Sequence, residues 1–329
     1  MSLAPRPREP GPEARVVPGV TVQRFDDDRC GPGSLALVLG AHGESLSEGD
    51  LAAALPDPAG RGVLSVDLLL AARGRGFDAA LVEGTPERLR GEIGGDRPAV
   101  LMLRLLDAPG RRRDIYHYVV VDGADPQRRL FRFQFGDGQA RWAPLETVEK
   151  GWRAAGHALL VVWPREATDA ALRRAVTLES EGRIDEAAAL CRQVLEVRPA
   201  SVRAWVDLGN VEAARRRAGE AEKAYRRALE ISPDDRDALN NLAWLLLEEG
   251  TRLEEAEALA ERAARHPGTD RPLVQDTLGR IQLARRRCPE AARTFAEALA
   301  AADALPEPAR VRLGEGLGRA REGCDPAAR

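Results

Sequence analysis

The chain has no apolar run long enough to cross a bilayer. It also lacks a charge imbalance, with a net charge of −3 over 329 residues. Neither a membrane span nor a nucleic-acid or anionic-membrane partner is expected. Cysteine is sparse: Cys30, Cys191, Cys288 and Cys324 show no metal-ligand spacing and no disulfide pattern, which suits a reducing compartment. Histidine is equally scarce, at His42, His117, His157 and His266. Glycine-rich pieces such as "ARGRGF" (72–77) follow a helix rather than a strand, so the dinucleotide-loop reading fails on context. No metal and no cofactor is expected.

The opening "MSLAPRPREPGPEARVVPG" has no hydrophobic core of a signal peptide and reads as a disordered lead-in over residues 1–17. Taken as written, the sequence predicts a cytoplasmic protein. An upstream signal peptide missing from it would make the protein periplasmic or lipid-anchored.

What is present divides into two grammars, as a chain of this length favours. Residues 18–165 mix helix and strand signals. "GSLALVLGAHG" is apolar with helical length. "SEGDLAAAL" opens at Ser47 with acids in its first turn, "SVDLLLAARGRG" takes Ser65 as N-cap, and "TPERLRGEIGG" repeats that design. Strand-like runs follow at 98–106, 115–123, 129–138 and 157–164. Helices first and strands later is an α+β order.

Residues 168–304 are rich in Ala, Arg and Glu and repeat. Ala187, Ala221, Ala256 and Ala291 keep a spacing of 34, 35 and 35, and Cys191, Tyr225, Ala260 and Phe295 follow four residues later. Trp205, Leu208 and Gly209 match Leu239, Leu242 and Ala243; Leu278 and Gly279 recur. The period resembles the tetratricopeptide repeat, which implies four helix pairs at about 168–201, 202–235, 236–270 and 271–304. Residues 305–329 would supply a capping helix, near 306–322, and a tail.

Cys30 sits in "DDDRCGPGSLALVLGAHG" (26–43), at the mouth of the apolar helix. Unpaired N–H groups and the helix dipole favour a thiolate there. Gly31 and Gly33 leave room for a substrate backbone, and Pro32 suits the first turn. A buried structural cysteine is the competing reading. For a base, His42 is roughly 18 Å down the same helix. His117 opens the strand "HYVVVDG", and His157 is held in reserve. The run Asp26–Asp28 reads as a solvated loop, or as a cleft lining that favours basic substrates.

"CGPGSLALVLGAHG" followed by "HYVVVDG" resembles the papain-like cysteine peptidases that process bacteriocin leaders at double-glycine sites. "RWAPLETVEKGWRAAGHALLVV" (141–162) resembles that family's closing helix and strand. The fold class implied is an α+β papain-like cysteine peptidase domain followed by an all-α tetratricopeptide-repeat solenoid, an order similar to a bacterial subgroup. The resemblance makes Cys30 the nucleophile and His117 the general base. Its Asp-Pro for the third role is missing, which leaves Asp137 or Gln134. Its oxyanion-hole Gln corresponds to Gln23, seven residues before Cys30. The expected activity is peptide-bond cleavage through a Cys-His thioester mechanism, with repeats that recruit a peptide or protein substrate or a protein partner. Two other outcomes stay open: a catalytically weak or inactive peptidase-like scaffold, and acyl transfer to an amine.

Overall fold

The computed structural model describes residues 7–26, 29–56, 63–105, 115–267, 271–302 and 305–323. The chain divides into two compact units, residues 1–170 with 196–199, and residues 171–195 with 200–329.

The first unit is a seven-stranded sheet with helices on both faces. Its elements are β1 (Arg15–Val16), α1 (Cys30–Ala41), α2 (Glu48–Ala54), α3 (Ser65–Gly74), β2 (Asp78–Glu83), α4 (Pro86–Gly94), β3 (Ala99–Leu105), β4 (Ile115–Asp125), β5 (Leu130–Gln134), β6 (Ala140–Pro144), α5 (Glu146–Ala154) and β7 (Ala158–Trp163). The strands run β2-β7-β3-β4-β5-β6, every pair antiparallel, with β1 added to β4.

Alternation along the strands sends apolar side chains both ways. Val100, Tyr118, Val120, Leu160 and Val162 meet α1, α2 and α3 in one core. Leu101, Val119 and Leu159 point to the opposite side, where Trp152 of α5 packs. Residues 30–39 of α1 are all buried, which explains a helix apolar all round rather than striped.

Local signals set most helix starts. Ser47 caps α2 in a reciprocal capping box with Asp50. Thr85 caps α4 by accepting from the Arg88 amide. For α3 the N-cap is Leu64, not Ser65; the Asp67 carboxylate takes the Leu64 amide instead.

The helices-then-strands order is corrected by β2, which lies between α3 and α4 and gains its place by pairing along β7. β6 replaces the expected start of the closing helix segment, and β5 stops at Gln134 rather than 138. The chain turns at Gly136, whose φ of +80° only glycine adopts readily.

Helix pairs follow, and most of their length makes up the second unit: α6 (Arg165–Ser180) with α7 (Ile184–Val197), α8 (Val202–Ala214) with α9 (Ala218–Ile231), α10 (Arg236–Glu249) with α11 (Leu253–Ala264), and α12 (Arg271–Ala284) with α13 (Cys288–Ala300). A last helix, α14 (Glu307–Glu322), packs on α13. In two of the pairs a glycine of the first helix faces an aromatic ring of the second. A Cβ on Gly209 would stand 2.3 Å from the Tyr225 ring, and one on Gly279 2.7 Å from Phe295. In α14, Gly316 makes the same approach to Phe295.

Arginines tie successive pairs together: Arg215 to Asp185, Arg252 to Glu222 at 2.7 Å, and Arg285 to Glu254 at 2.9 Å. The turn inside each pair uses a left-handed residue at a matching place: Gly182, Arg216, Gly250 and Arg286.

Cys191 is fully buried, and burial pushes its thiol up to about 12, so it is inert packing. Cys288 is disulfide-bonded, which corrects the expectation of unpaired thiols. Spacing could not show this, because a disulfide joins neighbours in space. Cys324 lies outside the described residues.

Candidate functional site

The first turn of α1 meets the end of β5 through a single ring. Phe25 is wedged between Gly33 and Gly136, where an added Cβ would come within 2.5 Å and 2.1 Å of it. The Phe25 amide donates to the Gly136 carbonyl at 2.9 Å, and the Gly138 amide donates to the Gln23 carbonyl at 3.2 Å. The segment before Cys30 therefore lies along the segment after β5. Gly31 is covered by Tyr118, whose ring is 3.2 Å from where a Cβ would stand. Gly31 and Gly33 thus admit Tyr118 and Phe25, not a substrate backbone.

Cys30 is the first residue of α1 and 6% exposed; His117, early in β4, is 7% exposed. Cys30 packs in the same core as Tyr118, the residue after His117. Alternation makes His117 leave β4 on the side opposite Tyr118, paired in register with Leu103. The His117 Nε2 is 3.2 Å from the Phe135 carbonyl oxygen. A carbonyl only accepts, so Nε2 carries the proton, and Nδ1 is the ring atom able to take one.

Burial pushes the Tyr118 phenol up to about 12; a hydrogen bond from Ser65 opposes this, and the closeness of Cys30 and Asp67 adds to it. The phenol also donates to the Val63 carbonyl at 3.0 Å.

The other expected residues are occupied elsewhere. Asp137 pairs with Arg141 at 2.7 Å and accepts the Gln139 amide, and the Arg141 hydrogen bond holds its carboxyl below the usual range. Gln134 turns into the protein and donates to Asp122 at 2.6 Å. Gln23 is exposed and donates to Thr21 Oγ1 at 3.0 Å. Asp27 and Asp28 lie outside the described residues. Sequence reading missed Phe135, because a backbone carbonyl leaves no residue-type signal.

His42 caps the far end of α1, where burial lowers it to about 4. His157 lies 3.2 Å from Glu149 and edge-on to Trp152, in a cavity of about 390 Å³ shared with Glu83, Arg90 and Arg129. Among the described residues no His, Cys, Asp or Glu group could hold a metal ion. No described helix is long and apolar enough to cross a membrane.

Residues 172–272 match the family model of the cilia and flagella-associated protein 70 middle TPR-like domain. No curated protein matches the chain. Among solved structures, Pseudomonas aeruginosa pilF is 25% identical, with a TM-score of 0.43, over 48% of this chain and 70% of that one. PilW, a widely conserved type IV pilus biogenesis factor, is 21% identical, with a TM-score of 0.42, over 47% and 72%. A Podosopora anserina putative kinesin light chain with nearly identical TPR-like repeats is 19% identical, with a TM-score of 0.40, over 47% and 85%. The second unit carries TPR-like helical repeats, the kind of domain through which proteins bind proteins.

Proposed function

We propose that this protein is a binding scaffold in which the repeats take up a segment of a protein partner and the first unit is a peptidase-like module. The observation that carries this reading is the surface shared by α8 and α10. Trp244, 37% exposed, lies in a cavity of about 380 Å³ with Asn210, Asn241, Tyr225 and Glu248. The Asn241 amide and the Tyr225 hydroxyl both donate to Asn210 Oδ1 at 2.8 Å. An aromatic platform beside fixed amides suits an extended peptide, since amides can pair with its backbone. The test is a peptide-display selection on the intact chain. Peptides whose binding is lost in Trp244→Ala and Asn210→Ala support the reading; a selection that yields no binder overturns it.

A second reading keeps catalysis at Cys30; it is favoured by the Phe25–Gly136 hydrogen bond, which lays the segment before Cys30 along the segment whose Phe135 carbonyl holds the His117 imidazole. The thiolate would attack a peptide carbonyl, and the imidazolium would give its proton to the leaving amine. Water would then hydrolyse the thioester, restoring the thiol. An amine in place of water would give transfer. Iodoacetamide alkylation near neutral pH tests it. Labelling of Cys30 faster than a free-cysteine peptide, lost in His117→Ala, supports it; labelling no faster than that peptide overturns it.

A further inference from the structure

We infer that the Phe135 carbonyl fills the third role at the thiol site, and that Asp122 is a positioning residue acting on it through Gln134. This rests on the catalytic reading of Cys30 and names the part that sequence left open between Asp137 and Gln134.

The chain of contacts is continuous. His117 Nε2–H donates to Phe135 O at 3.2 Å. Phe135 is the first residue past β5, where no ladder partner orients its peptide. Two anchors flank it. On one side, Gln134 is 1% exposed, and its amide donates to Asp122 Oδ2 at 2.6 Å. On the other, Gly136 O accepts from the Phe25 amide at 2.9 Å, in the segment leading to Cys30. Asp122 is 0% exposed, receives Arg132 at 2.9 Å, and its own carbonyl accepts the Val17 amide. Asp122 therefore holds Gln134, Gln134 fixes the peptide of Phe135, and that peptide sets the imidazole.

The anchor is costly, which argues against plain packing. Asp122 Oδ1 and Gln134 Oε1 are both buried without a hydrogen-bond partner. Burial raises the Asp122 carboxyl, with Arg132 and Gln134 opposing the rise. Apolar residues would fill that space without leaving orphan oxygens. A neutral carbonyl in place of a carboxylate also fixes the tautomer without stabilising the imidazolium as an anion would.

The test uses the full chain. The pH profile of Cys30 alkylation and the imidazole ¹⁵N shifts of His117 are measured in wild type, Gln134→Met, Asp122→Ala and Asp122→Asn. Gln134→Met and Asp122→Ala should move the alkylation midpoint by about one pH unit and mix the tautomers. Asp122→Asn keeps an acceptor for Gln134 and should stay close to wild type. Folded Gln134→Met and Asp122→Ala proteins with unchanged midpoint and tautomer overturn the inference. If neither folds, an Nδ1–H tautomer in wild type overturns it, and an Nε2–H tautomer together with the wild-type-like Asp122→Asn profile supports it. A wild-type Cys30 no more reactive than a free-cysteine peptide overturns the catalytic reading instead, and the ¹⁵N shifts still decide the positioning of His117.

Discussion

The imidazole of His117 donates from Nε2 to the backbone carbonyl of Phe135, 18 residues later in the chain. That contact links the start of β4 to the turn after β5, beside the segment that leads into α1.

Replacing His117 by Gln should lower the Cys30 alkylation rate at pH 7 by about 10²-fold, the low end for losing a positioned base. Peptide mapping of the alkylated chain reads it. An unchanged rate would place the thiol outside any base-assisted site.

Gly209→Ala should destabilise the second unit by about 1–3 kcal/mol, since its Cβ would stand 2.3 Å from the Tyr225 ring. Adding Tyr225→Leu should recover part of the loss. Thermal melts of the three proteins check the coupling; additive losses would mean that the two residues do not share one space.

Arg216 and Arg286 occupy left-handed turns at φ of +58° and +59°, where Gly182 and Gly250 stand in the other pairs. Arg216→Gly should stabilise the repeats by up to about 1 kcal/mol through relieved backbone strain. Urea midpoints at constant slope measure it.

His42 in the first unit and Asp207 in the second should pull stability in opposite directions in acid. Burial lowers His42 to about 4 from an ordinary 6.5. Between those values the unfolded chain binds more protons at this residue, so the His42 contribution to the first unit's stability is lost as pH falls from about 6.5 to about 4. Asp207 is raised to about 6 from 3.8, mainly by burial, with Arg203 opposing and Glu179 and Asp237 adding to the rise. There the folded state binds more protons at Asp207, so this group's contribution to the second unit's stability rises as pH falls from about 6 to 3.8. Hydrogen exchange of each unit at pH 7 and pH 5 separates the effects. His42→Gln should remove the first trend and Asp207→Asn the second.

Ala221 with Tyr225 and Ala291 with Phe295 announced helix pairs, because each repeat must place a small and a large residue at one period to pack on its neighbour. The reason Gly209 and Gly279 recur was not visible, since it is the ring of the other helix. Ser47 and Thr85 marked helix starts that depend only on nearby backbone amides. β2 was missed because its pairing partner, β7, lies some 80 residues on.

Sequence alone determined the elements whose causes are local: capped helices, the apolar α1 and the repeat period. It also singled out Cys30 and His117 by residue type and setting. Only the tertiary structure decided that Asp137 belongs to Arg141, Gln134 to Asp122 and Cys288 to a disulfide. Those partners are chosen by distance in space, and a carbonyl such as that of Phe135 is common to every residue, so no side-chain pattern could have marked it.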